Sequence, residues 1–308
     1  MYTSAMAPAG PRPVIAGVGI SNPGRVMFPR DEITKRDLAR YYDTVAEWML
    51  PHTRGRPLTL FRCARAIGPD CYFMKHSKVW APEALRRVRI RERAKIGEYL
   101  IADTPAALVA LAQMDVIEIH TWNARVEHLE QPDRIVFDLD PGAEVSWPEV
   151  VQAARRVRAV LDALGLVSFP KTTGGRGLHL VVPLVPERGW QECLAFSRSV
   201  ATAIARKSPS TFTVAYARAG RERKILLDYL RNNRTNTSVA AYSVRAREGA
   251  PVSIPIAWGE LSPQLRPEAF TLRNVPRRLA RRRSDPWSAY WKCDQRLTPD
   301  AFEALARV

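Results

Sequence analysis

This 308-residue chain is poor in cysteine, in acidic residues and in long apolar runs, and each shortage removes a class of function. Four cysteines occur, Cys63, Cys71, Cys193 and Cys293, with no Cys-x-x-Cys pair. That excludes a disulfide scaffold of the small secreted kind, and in a reducing cytosol all four are expected as thiols. Cys63, Cys71 and His76 are loosely spaced and lack a fourth ligand, which argues against a zinc site. No apolar run reaches the roughly 18 residues a membrane span needs. Met1 to Pro13 has no basic start followed by an apolar stretch, so it does not read as a signal peptide. It reads as a flexible arm, assigned to residues 1–20.

Acids number 31 against 47 Lys and Arg, a net charge of +16. Such an excess favours polyanionic partners, and with no membrane segment the expected partner is nucleic acid. Hydrophobic residues make up 46% of the chain, enough for a substantial core in one large domain or two small ones.

The stretch with the most chemistry is Ile135-Val136-Phe137-Asp138-Leu139-Asp140-Pro141-Gly142. Its apolar lead predicts a strand. Residues two apart in a strand share a face, so Asp138 and Asp140 point together with Leu139 buried behind them. Two adjacent carboxylates repel each other, and a hard divalent cation such as Mg²⁺ or Mn²⁺ would relieve that. An ordinary Asp-Pro-Gly surface turn is the plainer alternative.

Other elements follow from pattern. A helix is expected from Thr34 through Trp48, stopped by Pro51. Strands are expected at Leu58–Phe61, Tyr72–His76 and Val116–His120, and a helix over Thr104–Met114. Pro82 to Ala94 carries five arginines with little apolar pattern, suiting either a nucleic-acid face or a solvated segment. Ser146-Trp147-Pro148-Glu149 has the form of a capping box ahead of a helix that ends at Gly165. A strand at Leu166–Pro170 and a helix at Trp190–Lys207 come next.

A second chemical stretch runs Lys171-Thr172-Thr173-Gly174-Gly175-Arg176-Gly177-Leu178-His179. Its glycines free backbone N–H groups to approach an anion, and Lys171 and Arg176 add charge. It lacks the Gly-Lys-Ser/Thr ending of a P-loop. His179, set in an apolar strand, needs a polar partner. Lys224 to Leu230 embeds Asp228 in a third apolar strand, where an isolated charge demands a partner or a metal. Arg221, Arg223, Arg231, Arg234, Arg245 and Arg247 surround it in sequence.

Taken together, Phe137-Asp138-Leu139-Asp140, Lys171 to His179 and Leu227-Asp228-Tyr229-Leu230-Arg231-Asn232 resemble the archaeo-eukaryotic primase superfamily. More closely, the chain is similar to the polymerase domain of bacterial ligase D, the non-homologous end-joining enzyme, and its stand-alone relatives, from about residue 20 onward. The resemblance implies an α+β primase-polymerase fold. Its core would be an RRM-like antiparallel sheet flanked by helices, with an N-terminal α/β subdomain. A single domain over 21–308 would divide into 21–130, a catalytic core at 131–260 and an extension at 261–308.

It also implies roles. Asp138, Asp140 and Asp228 match the metal-binding carboxylates for two Mn²⁺ or Mg²⁺ ions. Thr173, Arg176 and His179 match the triphosphate loop, and Arg221 and Arg245 the arginines beside the third carboxylate. Lys75 and His120 match further nucleotide contacts, Tyr72 or Phe73 a stacking platform, and Arg25 and Lys35 a reader of a DNA 5′-phosphate. Thr173 stands where Ser is usual and Arg25 where Lys is usual. The implied activity is template-directed addition of rNTPs or dNTPs at gaps and breaks. Implied partners are gapped or broken DNA, Ku and a ligase, and the implied setting is a monomer in the bacterial cytoplasm near the nucleoid. The rivals are an end-binding module without chemistry, an RRM-like binding protein and an Asp-x-Asp phosphatase. The arginine cluster from Arg273 to Arg283 is left open between DNA contact and solvation.

Overall fold

The computed structural model describes residues 12–217 and 219–307. Residues 1–11 of the expected arm lie outside the described residues. The rest of it is ordered: Val14–Ile15 and Val18–Gly19 pair antiparallel, and Ile20 is fully buried. The folded chain therefore starts before residue 21.

A mixed α+β architecture is built on two sheets. The larger holds five strands in the order Phe169–Thr172, Leu178–Pro183, Arg134–Pro141, Ile225–Asp228, Phe212–Thr213. All neighbours are antiparallel except the last pair. The chain enters at the central strand Arg134–Pro141 and passes through the helix Trp147–Ala163. It then forms the two strands on one side, passes through the helix Trp190–Lys207 and ends beside the central strand at Ile225–Asp228. This is a β-α-β-β-α-β connection with one added edge strand. The second sheet orders Ser238–Val239, Val116–Thr121, Leu58–Arg62 and Tyr72–Met74.

Side-chain alternation in the central strand divides the molecule. Ile135, Phe137 and Leu139 are fully buried in the main core, which also holds Val150, Val157, Phe196 and Val200 of the two long helices. On the opposite face, Val136 packs with Phe169, Val181, Trp287 and Tyr290. Asp138 and Asp140 lie beyond Val136 on that same face. Apolar packing thus covers one end of the face, and polar residues occupy the other.

Several elements differ from the sequence expectation. The first helix breaks at Val45 into Lys35–Thr44 and Ala46–Thr53, and Pro51 sits inside the second. Thr34 caps the first, accepting from Asp37 N while the Asp37 carboxylate accepts from Thr34 N. The arginine-rich segment contains a strand, Arg86–Arg91, paired with Ile96–Ile101. Ile90 is buried there while Arg89 and Arg91 are exposed, so the hairpin shows one apolar face. The strand expected at 166–170 lies at Phe169–Thr172, which places Lys171 inside a strand. The Ser146 capping box and the Trp190–Lys207 helix match their expected positions, with Gly165 at φ +73°.

The thiol expectation fails for one pair. Cys63 and Cys71 form a disulfide, their Cα atoms 4.3 Å apart, while Cys193 and Cys293 are free. The antiparallel pairing of Leu60–Arg62 with Tyr72–Met74 folds the intervening chain back and brings the two sulfurs together.

Candidate active site

One rung of the larger sheet carries most of the chemistry. Across four strands, Lys171 pairs with His179, His179 with Asp138, and Asp138 with Asp228. Residues in register on neighbouring strands share a face, so four ionisable side chains stand in a row. Asp140 lies on the same face, in register with Leu226.

Arg231 holds the two ends of the acidic pair. Its Nε is 3.2 Å from Asp138 Oδ2 and its Nη2 is 3.1 Å from Asp228 Oδ2. It sits on the 3-10 turn Leu230–Asn232 that directly follows the Asp228 strand. Asn232 fixes that turn: its side-chain amide accepts from Val136 N at 2.8 Å and donates to Val136 O at 2.9 Å. A side chain thus takes the place of the next strand residue. Asp228 Oδ1 also accepts from Tyr216 Oη at 2.9 Å and from Leu230 N at 2.8 Å.

These contacts push the two carboxyls apart in acidity. Burial opposes charge on Asp138, but His179, Arg231 and Lys171 outweigh it and hold the group well below the usual carboxylate range. Asp228 is shifted upward, first by burial and also by the charge of Asp138, against the pull of Arg231. His179 Nε2 lies 3.5 Å from Asp138 Oδ1. Burial, reinforced by Lys171, lowers this imidazole to about 4, so it is neutral near pH 7. Its Nδ1 is buried and has no hydrogen-bond partner among the described residues.

Lys171 does not act as the loop cation anticipated. It is buried, with Nζ donating to Val239 O at 3.0 Å and to Ser253 Oγ at 2.6 Å. Arg176 is engaged elsewhere too, donating to the carbonyls of Gly142, Ala143 and Val145. It clamps the turn after the central strand. Thr173 Oγ1 donates to Gly177 O at 3.1 Å. Gly177 needs its missing side chain, since a Cβ there would meet Leu139 O at 2.8 Å. Arg245 donates to Thr173 O and pairs through Nε with Glu118 at 3.1 Å. Arg221 pairs with Asp140 at 2.6 Å.

A cleft of about 340 Å³ gathers Asp138, Asp140, Thr173, Arg176, His179 and Arg245 with His120 and Arg231. His120 arrives from the second sheet and its Nε2 donates to Glu118 Oε2, 2.8 Å away. Phe73 meets His120 edge-on at 5.4 Å and is 58% exposed, leaving its ring available to a base. Tyr72, also exposed, accepts from Arg62 Nη1 at 3.3 Å. Lys75 is not in this cleft. It lines a larger one of about 1040 Å³, between the Arg86–Ile101 hairpin and the start of the Trp190–Lys207 helix, which holds none of the three aspartates.

Arg25 and Lys35 are brought together, with a partner that sequence reasoning missed. Both pair with Asp115, which also takes Arg62 at 3.2 Å. Lys35 is 2% exposed, and Arg25 is half-buried. Three cations therefore converge on one carboxylate. Asp115 carried no signal of its own, and Arg231 and Asn232 stood in a motif with no role assigned to either; their side-chain contacts show what they hold.

The donor chemistry suits a hard divalent cation: three carboxylates on one face, two already sharing a cationic group. Among the described residues, no three His, Cys, Asp or Glu side chains are grouped closely enough to hold a metal. Asp140 is turned to Arg221 instead, and gathering all three requires that pair to open.

Residues 34–287 match the family model described as LigD, primase-polymerase domain. The chain is 38% identical over 305 residues to the multifunctional non-homologous end joining protein LigD of Pseudomonas aeruginosa, covering 96% of this chain and 35% of that protein. It is 34% identical over 252 residues to the Mycolicibacterium smegmatis protein of the same name, covering 81% and 33%. The chain thus spans about a third of the length of these curated relatives. Among solved structures, it superposes on the polymerase domain from Mycobacterium tuberculosis ligase D in complex with DNA with a TM-score of 0.83. That match has 32% identity and covers 90% of this chain and 99% of the other. The chain belongs to the LigD primase-polymerase domain family.

Proposed function

We propose that this chain is a metal-dependent, template-directed nucleotidyltransferase that adds rNTPs or dNTPs to a primer 3′-hydroxyl at gaps and broken DNA ends. The β-α-β-β-α-β sheet is read as an RRM-like primase-polymerase core. The observation that carries the proposal is the rung Lys171–His179–Asp138–Asp228, whose His179 and Asp138 line one cleft with Asp140 and the Thr173–Gly177 turn. It places paired carboxylates beside a backbone suited to phosphates. The DNA complex of the mycobacterial neighbour supports a nucleic-acid partner.

Asp138, Asp140 and Asp228 would hold two divalent ions, Mn²⁺ or Mg²⁺. When bound, such ions lower the pKa of the attacking hydroxyl and stabilise the departing pyrophosphate. The chain's own groups do the rest. Thr173 and the glycine amides of the turn orient the triphosphate. Arg245, aimed by Glu118, neutralises charge developing on it. Neutral His179 donates a hydrogen bond without competing for the carboxylates. Phe73 supports the base, and His120 stands beside it. Arg231 and Arg221 release their aspartates as the substrate's phosphates offer them new partners. Outside the cleft, Arg25, backed by Lys35 and Arg62, receives a 5′-phosphate in competition with Asp115.

Primer extension on a 5′-phosphorylated gapped duplex with Mn²⁺ tests the proposal. Incorporation directed by the template base is expected. Binding of the duplex without incorporation under any nucleotide and metal would leave only an end-binding module.

A further inference from the structure

We infer that the arginine cluster between Arg273 and Arg283 is a second nucleic-acid surface, which grips the phosphodiester backbone of DNA outside the catalytic cleft. This rests on the polymerase reading, and adds to it the surface along which the bound duplex extends. Six arginines occur in these eleven positions. Five of them, all but Arg273, divide into two groups. Arg278 and Arg282 both donate to Oε1 of Glu260, and Arg278 lies over the Phe270 ring at 4.9 Å. One carboxylate thus orders two guanidinium groups and leaves them a surplus of charge. Arg277, Arg281 and Arg283 are exposed and make no ion pair among the described residues. Arg277 and Arg281 are four residues apart at the short helix Val275–Ala280 and the turn that follows it, as are Arg278 and Arg282. Together they line a groove of about 610 Å³ whose only acid is Glu260.

Position favours DNA over an acidic protein. Val252 N donates to Phe270 O and Leu272 N to Ala250 O, tying this segment to the strand piece that runs past Gly174 of the catalytic turn. Arg273 donates to Asp31 O, in the connection between the strands Val26–Phe28 and Ile33–Thr34. Arg25 precedes the first of those strands and Lys35 follows the second. The cluster's segment is thus tied at residues 270–272 to the chain beside Gly174, and through Arg273 to the tip of the hairpin whose other end carries Arg25 and Lys35. A guanidinium array of this kind positions a backbone rather than reading bases.

The test compares the full chain with R277Q/R281Q/R283Q for binding a gapped, 5′-phosphorylated duplex by fluorescence anisotropy between 50 and 200 mM salt. Each lost phosphate contact should reduce the slope of log K against log salt by about 0.9, so the triple variant should fall by two to three units. KM for the nucleotide at saturating DNA should stay unchanged. If the triple variant misfolds, the single variants should each lower the slope by about one. Unaltered affinity and slope would overturn the inference, as would a loss confined to polyglutamate binding. Wild-type extension is measured separately, so failure here leaves the polymerase reading standing.

Discussion

Asp138 and Asp228 face each other across two adjacent strands, and the guanidinium of Arg231 joins their carboxylates. A protein that sets two carboxylates side by side must supply positive charge, or one of them takes up a proton. Here the cation comes from the residue three positions after Asp228. Replacing Arg231 with Ala should lower stability by about 1 to 2 kcal/mol, since the lost bonds are charge-assisted but half-exposed. Added Mn²⁺ should restore much of the lost thermal stability if the pair accepts a metal. Melting curves with and without the ion check this; an equal deficit in both would mean that the pair has no use for a metal.

A second ion pair supports the fold away from the cleft. Arg56 is 1% exposed and grips Asp133 through both nitrogens, Nη1 to Oδ1 at 2.7 Å and Nη2 to Oδ2 at 2.5 Å. Arg56→Ala leaves a half-buried carboxylate with Arg125 as its remaining ion-pair partner. The expected cost is about 2 to 3 kcal/mol, read from chemical denaturation. A loss below 1 kcal/mol would contradict it.

Glu118 links the two halves of the cleft, bonding His120, Arg245 and the Ala246 amide. Burial opposes its charge, yet these partners lower it to about 2. A depressed carboxyl contributes stability that is complete above its unfolded value of about 4.5 and is lost as pH falls toward 2. The contribution is on the order of 3 kcal/mol. Glu118→Gln should flatten the stability profile between pH 4.5 and 2. A profile as steep as the wild type would show that other groups set it.

Alkylation of the unfolded chain without reductant should label Cys193 and Cys293 and spare the Cys63–Cys71 pair. Mass spectrometry after reduction should then show two further sites. Four labels before reduction would contradict the bonded pair.

Much of this arrangement was readable from local pattern. The apolar run before Asp138 and Asp140 announced a strand, Leu139 is buried behind them, and the Ser146 capping box started a helix where expected. What could not be read was set by register. Lys171 looked like a loop cation until its pairing with His179 placed it inside the sheet. In sequence Arg176 reads as a phosphate ligand; its bonds to the carbonyls of the Gly142 turn are tertiary contacts that no local pattern announces. The Arg86–Arg91 strand was hidden because arginine filled its outer positions and one besides, leaving Val88 and Ile90 as a weak alternation. Asp115 attracted no notice because its three cations come from three separate segments.

The most direct test of the account is primer extension by Asp138→Asn and Asp228→Asn beside the wild type, with Mn²⁺ and saturating nucleotide. Each substitution keeps the shape and removes a charge from the rung. Both variants should retain DNA binding and lose extension by at least about a hundredfold. Near-normal extension by either one would contradict the assignment of this carboxylate pair as the centre of the chemistry.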